Sequence, residues 1–406
     1  MPGTAISPFA SLRHRNFRLF FTGQSISLVG TWMQSVAQGW LVLQLTNSPF
    51  YVGLVSALGS LPILLVSLPA GVLADRINKH RVIILTQALS LLQALVLAIL
   101  IGTHRIALWQ VAAIAAFLGI VNAVDTPMRQ SFIVELAGKE DLTNAIALNS
   151  SAFNAARVVG PSIAGLLISA VGLAWCYFLN ALSYVAVIVG LLMMRLPPWV
   201  RPARAGGDWD RFREGVRYVR GDRRVLSLVT MMAVISVFGF PFLVLMPVFA
   251  RDELRVGAAG LGLLMAAVGI GAMLAALGLA AFGPRVRKGA LLVWTGPTFG
   301  VAITAFALCQ WFPLALVVLP VCGGAMILNT AVTNTLLQSV VPDGLRGRVM
   351  GFFTFVFIGM APFGALQAGF VAEHLGAPTA VVLGGMVCAI TSLTLWGRVP
   401  EVTALR

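Results

Sequence analysis

The sequence predicts an all-α integral membrane protein whose twelve transmembrane helices form two pseudo-symmetric halves of six. Three observations predict it. Of 406 residues, 59% are hydrophobic and only 10% charged, with a mean hydropathy of +0.92, whereas a soluble domain carries about 25% charged residues. Apolar runs recur along the whole chain, each near the ~20 residues a helix needs to cross hydrocarbon. The longest polar stretch, Arg195–Arg224, has six such runs on either side.

The spans run over 17–45, 50–74, 82–103, 107–131, 144–171, 173–194, 225–249, 256–282, 289–310, 312–341, 349–372 and 376–397. The domains are therefore 1–195, a linker at 196–224, and 225–406. Polar groups in hydrocarbon are costly and usually face a bundle interior or a water-filled cavity. In span one, Gln24, Ser27, Thr31, Gln34, Ser35 and Gln38 fall on one helical face. They read as a cavity lining, with interhelical hydrogen-bonding glue as the alternative. Spans two and three are joined by a short charged turn, Asp75-Arg76-Ile77-Asn78-Lys79-His80-Arg81.

Span four carries Asp125 and Arg129 one helical turn apart, spaced to pair with each other. Span five places Ser150, Asn154, Arg157 and Pro161 on one face, with Arg157 near mid-span. A charge there costs about 2.5–3.5 kcal/mol on insertion scales, so it needs a partner or water. Asp125 and Arg129 read either as satisfying each other in a static network or as exchanging partners with Arg157 or with Asp75. Pro161 after Gly160 predicts a bend, because proline lacks the backbone donor and crowds the preceding turn.

The linker contains Pro197-Pro198, Pro202 and Gly206-Gly207, followed by Trp209, Phe212, Val216 and Val219 at helical spacing among arginines. This reads as an amphipathic helix lying on anionic lipid, or as a solvated linker helix. Span seven sets Phe238, Phe240 and Phe242 around Pro241, a pattern commoner in cores than in binding walls. Gly260–Gly278 in span eight has the small-residue spacing of close helix packing. In span ten, Thr330, Asn334 and Gln338 recur at four-residue steps, and the first two are candidate cavity lining. Shifting the sequence by 208 residues lays Ala123-Val124 on Ala331-Val332, Gln130-Ser131 on Gln338-Ser339 and Glu135 on Asp343, which supports a repeat of the halves.

The net charge of +14 is distributed by topology and not for nucleic acid. Arg105, Arg251 and Arg255 are the cations in loops on one side, Arg157 lies within a span, and all other Lys and Arg flank the opposite side. Such asymmetry places both termini in the cytoplasm. Ser35-Val36-Ala37 faintly resembles a cleavage site, but its run is too long and too polar for a signal peptide. The four cysteines, 176, 309, 322 and 388, sit in apolar runs with no paired spacing, so neither a metal site nor a disulfide framework is expected.

Written with its leading glycine, the first charged turn reads Gly71-Val-Leu-Ala-Asp75-Arg76-Ile-Asn78-Lys79-His80-Arg81. It resembles the signature between helices two and three of the major facilitator superfamily of secondary transporters. Arg157-Val-Val-Gly160-Pro161-Ser-Ile-Ala164-Gly165 resembles the glycine–proline motif of superfamily antiporters. Leu12-Arg-His-Arg-Asn16-Phe17-Arg18, Asp125-Thr-Pro127-Met-Arg129-Gln130 and Leu345-Arg346-Gly347-Arg348-Val349 are similar to the branch with drug–proton antiporters and the enterobactin exporter.

The resemblance implies a cytoplasmic gate of Gly71, Asp75, Arg76 and Arg81, with Asp75 near the start of helix eleven, latching the halves while the cavity opens outward. Two departures weaken the pattern: Asn78 replaces a glycine, tolerable because Asn also adopts positive φ, and His80 replaces a usually basic residue. Span one also lacks the deep acid of several proton antiporters, which leaves Asp125 as the best acid within a span for the proton coupling the resemblance implies. The implied function is proton-coupled export of small amphipathic molecules (drugs or a siderophore) by alternating access. The partners are the bilayer of a bacterial cytoplasmic membrane and a small-molecule substrate, with no cofactor beyond a proton gradient, and the protein works as a monomer. Alternatives are an uptake permease on the same fold and a non-transporting sensor or intramembrane enzyme; the sequence offers no catalytic set.

Overall fold

A computed structural model describes residues 9–74, 77–196, 208–403 and 405. Asp75 and Arg76, the centre of the expected gate, lie outside the described residues.

The first half comprises α1 (Arg15–Thr46), α2 (Pro49–Ala74), α3 (Lys79–Gly102), α4 (Leu108–Gly138), α5 (Glu140–Ala170) and α6 (Leu173–Leu192). After the linker helix α7 (Asp208–Gly221), the second half comprises α8 (Arg223–Glu253), α9 (Gly257–Phe282), α10 (Lys288–Ala307), α11 (Phe312–Val340), α12 (Asp343–Leu375) and α13 (Ala377–Arg398). Eleven of these stretches are long and apolar enough to cross a membrane. The twelfth span, α1, is 32 residues long, and its polar residues lower its hydropathy.

Helices α4, α8 and α12 run several residues past the spans expected from hydropathy. No loop separates α4 from α5; Gly138, with φ 67°, makes the turn alone. Phe132 and Leu136 prolong α4 because they bury against Phe17 and Phe20 of α1 and Ile83 of α3. In α8, the residues around Pro241 and Pro247 adopt π-helical and short α-helical turns, since each proline removes an i→i−4 bond. The phenylalanines there serve the core: Phe242 packs edge-on against Phe299 and Phe306, and Phe240 against Phe299 and Phe357.

The linker helix docks on the second half. Val219 is buried, Gly215 sits against the Arg348 backbone, and Glu214 pairs with Arg348 at 2.5 Å. Asp222 caps α8 by accepting from the Arg224 amide at 2.9 Å.

Candidate functional site

The two halves meet along α5 against α9 and α2 against the end of α12. Glycines make both contacts: a Cβ at Gly165 would lie 2.9 Å from Gly262 Cα, and one at Gly369 would lie 3.0 Å from Gly53 Cα. Helices in lipid approach this closely where side chains are smallest. On the face carrying the loops at 46–49 and 253–257, hereafter the far face, hydrogen bonds add to the seal. Glu373 of α12 accepts from Ser48 Oγ at 2.7 Å, and Arg251 of α8 donates to the Leu43 carbonyl and to Asn47 Oδ1, both at 2.9 Å. Towards the terminal face, Ser150 of α5 and Thr335 and Gln338 of α11 are exposed.

Beneath this seal lies a cavity of about 170 Å³ between the halves. Its walls include Trp32, Ser35 and Gln38 of α1, Val55 and Ser56 of α2, Pro247 of α8 and Met265 of α9. An apolar wall with a few polar groups is the usual make-up of a small-molecule site.

Arg157 stands beside the cavity at mid-span. Its guanidinium carbon is 5.6 Å from the centroid of the Trp32 ring, within cation–π range. One nitrogen is 3.7 Å from Met326 Sδ of α11, across the division between the halves. Among the described residues no carboxylate pairs with it. Asp125 and Arg129, by contrast, pair with each other at 2.6 Å inside the first half. Asp125 is 2% exposed and also accepts from Thr86 Oγ1 at 2.5 Å and Gln87 Nε2 at 3.2 Å, both of α3. The expected three-charge network is therefore divided: the pair is closed off by α3, and Arg157 is not part of it.

A family model for the transmembrane secretion effectors of the major facilitator superfamily matches residues 6–405. The chain belongs to this family. Among curated proteins it is 28% identical to the multidrug efflux pump Tap of Mycolicibacterium fortuitum, over 86% of this chain and 87% of that one. It is 28% identical to the enterobactin exporter EntS of Shigella flexneri, over 84% and 81%. To the staphyloferrin A transporter of Staphylococcus aureus it is 26% identical, over 58% and 59%. Similar solved structures include a bacterial homologue of the lysosomal transporter Spinster in an inward-facing, occupied conformation. It is 14% identical over 98% of each chain, with a TM-score of 0.74. The nucleoside transporter NupG is 13% identical over 95% of this chain and 98% of its own, with a TM-score of 0.70.

Within this transporter fold, the polar face of α1 divides in two. Gln38, with its neighbour Ser35, lines the cavity, and Thr31 is exposed. Gln24, Ser27 and Gln34 are buried away from it, a correction to the cavity-lining expectation. Gln34 donates to Gln93 of α3 at 3.2 Å and accepts from Asn180 of α6 at 2.6 Å. A single helical arc of this width spans two neighbours, so one edge becomes glue within the half and the other faces the gap. On α5 and α11 the candidate residues bond within their own helices: Asn154 to the Ser150 carbonyl, Thr330 to the Met326 carbonyl, and Asn334 with Gln338.

The expected bend at Gly160–Pro161 takes another form, since Gly138 is the residue with non-helical backbone between 108 and 170. Gly160 instead lets α1 approach, with a built Cβ 2.8 Å from the Val29 carbonyl, while Gly165 receives α9. Pro161 lacks the donor that would have bonded the carbonyl of Arg157, four residues earlier. In the gate motif, Gly71 lies in the last turn of α2 and Arg81 is exposed in the first turn of α3. Asn78 has φ −69° and caps α3 by accepting from the Arg81 amide, so positive φ is not its role. His80 turns inward to the Leu191 carbonyl at 2.8 Å, and Lys79 pairs with Glu135.

Sequence reasoning missed Gln87, Thr86, Gln93 and Asn180, and also the far-face pair Ser48 and Glu373. The α3 residues carried a signal, because Thr86, Ser90, Gln93 and Leu97 share one helical face.

Proposed function

We propose that the chain is a proton-coupled exporter of small amphipathic organic molecules, drugs or a siderophore, working by alternating access as a monomer in a bacterial cytoplasmic membrane. It is a carrier and not an enzyme. The observation that carries the reading is the largely apolar inter-half cavity closed at the far face by Ser48–Glu373 and Arg251–Asn47. The loop charge asymmetry supports putting that face outside the cell and both termini in the cytoplasm, an orientation in which closure at the far face corresponds to an inward-open state. The names of the relatives, an efflux pump and a siderophore exporter, favour outward over inward transport.

Coupling is assigned to Asp125. Protonating it would release Arg129 and the two α3 donors together, giving a proton a lever on the packing of α3 against α4. Asp75 is assigned the cytoplasmic latch of the outward-open state. Everted vesicles loaded with a fluorescent dye and given a proton gradient test the proposal. Wild-type protein moves dye with the gradient, and Asp125→Asn reduces the gradient-driven rate at least about tenfold, as loss of a general proton carrier does. Dye movement that ignores both the gradient and Asp125→Asn removes the coupling assignment; no movement of any dye in a broad panel removes multidrug export.

A further inference from the structure

We infer that Arg157 is the recognition site for an anionic headgroup, so that the transported class is amphipathic organic anions carrying a carboxylate or a chemically equivalent oxyanion. This deepens the export reading and rests on it. Arg157 has no carboxylate partner among the described residues. A guanidinium inside a membrane protein normally meets a carboxylate, backbone carbonyls or water. Among the described residues its hydrogen-bond and cation–π partners are the Trp32 ring at 5.6 Å and the Met326 sulfur at 3.7 Å. Both are soft and uncharged; they steady the cation without neutralising it. Arg129, half-buried like Arg157, differs in having an acid of its own four residues earlier, with which it forms an ion pair at 2.6 Å.

The position of this cation suits it to a ligand. Trp32, on which Arg157 stacks, is also a wall of the cavity, and Met326 belongs to the opposite half. An anion on Arg157 would place its apolar body against Trp32, Val55 and Met265 while touching both halves. Arg157 keeps some exposed surface although it is largely enclosed. A planar guanidinium offers two parallel donors that match a carboxylate, and in a low-dielectric setting such a pair is stronger than in water. The same geometry links binding to the cycle, because a ligand held between α5 and α11 is gripped only while the halves stand at this spacing.

The test uses three probes that differ only in headgroup charge: pyrenebutyrate, pyrenebutanol and pyrenebutylammonium. Binding to the full chain in lipid nanodiscs is read as tryptophan-to-pyrene energy transfer, with empty nanodiscs subtracted. Wild-type protein should bind the carboxylate at least about tenfold more tightly than the alcohol or the ammonium, the range of a charged hydrogen bond. Arg157→Gln should remove that preference while leaving the alcohol within about threefold. Arg157→Lys, which keeps the charge but loses the fork, should fall between them. A matching elution profile and melting temperature guard against misfolding, and pyrenesulfonate distinguishes a general oxyanion site from one for carboxylates. No carboxylate preference in the wild type, or an equal loss of all three probes in Arg157→Gln, overturns the inference. Charge-selective binding without transport in vesicles would leave it standing and sink the export reading; transport with charge-blind binding would do the reverse.

Discussion

The pair α3–α4 in the first half and the pair α10–α11 in the second are related by the same 208-residue shift, yet they are wired differently. The shift lays Gln87 on Thr295, Asp125 on Thr333 and Arg129 on Leu337. In the first half an acid, a base and two neutral donors converge. In the second, Asn329 donates to Thr295 at 3.3 Å, and the buried Thr333 hydroxyl has no partner among the described residues. The second pair therefore packs with neutral groups alone, which means the architecture does not require charge at this position. A buried ion pair often contributes little net stability once its desolvation is counted. Its presence in one copy is what the proposed coupling role of Asp125 predicts.

The largest effect should come from moving the charge. Thr333→Asp would bury a carboxylate beside Leu337 with no cation, and should destabilise the protein by about 3–5 kcal/mol, the cost of an unpaired buried charge. Adding Leu337→Arg should recover most of that loss, read as the apparent melting temperature in detergent. The reverse experiment is sharper. Asp125→Ala strands Arg129 and should cost a similar amount, whereas Asp125→Thr with Arg129→Leu copies the second half and should stay within about 1.5 kcal/mol of wild type. That double variant should lose gradient-driven transport. If it unfolds as readily as Asp125→Ala, the pair is architectural and the comparison fails.

Much of this was legible from residue order. The apolar spans, the mid-span position of Arg157 and the Asp125–Arg129 pairing follow from spacing and hydropathy; that Arg157 stands apart from the pair does not, because the sequence allowed all three charges to share one network. The division of the α1 polar face was not legible. Periodicity says that Gln24, Gln34 and Gln38 share a side, but which neighbour each meets depends on where α3, α6 and the gap fall around the helix. The far-face seal was hidden for a related reason: Ser48 and Glu373 are 325 residues apart, and neither belongs to a local pattern. The Gly160–Pro161 element was read as a bend because proline breaks helices, whereas in a packed bundle neighbouring helices hold α5 straight enough to stay helical.

An intermediate effect should separate the two faces of the molecule. The far face is closed by Glu373 and Arg251, so weakening it should shift the population towards the outward-open state. Glu373→Gln keeps the shape but loses the charge of an exposed hydrogen bond, a change of about 1 kcal/mol or roughly fivefold in population. Labelling of Gln38→Cys from outside the cell reads it, and the four native cysteines are all buried, which keeps the background low. An unchanged labelling rate would mean that the glycine contacts of α5–α9 and α2–α12 hold the far face closed without the hydrogen bonds.

The smallest effect concerns how each half begins. α1 is introduced by a tethered turn, in which Ser11 donates to Asn144 at 2.7 Å while Arg13 and His14 meet Asp141 at 3.0 and 2.7 Å. α8 is introduced by one capping side chain, Asp222, at the end of the linker helix. Hydrogen bonds from Arg224 hold the Asp222 carboxyl below its ordinary value of 3.8. A depressed carboxyl contributes its stability above the unfolded value, near pH 3.9, and that contribution disappears as pH falls through the folded value. Asp222→Ala should therefore lower stability by about 1 kcal/mol at neutral pH, the usual worth of a cap. Asp222→Asn, which still caps, should cost less and should flatten the fall in melting temperature between about pH 5 and pH 3. Asp141, held low by hydrogen bonds from His14 and Arg13, contributes to the same fall, so Asp141→Asn and Asp222→Asn should act additively, because the two halves are started by separate devices. A non-additive response would mean that the linker transmits strain between them.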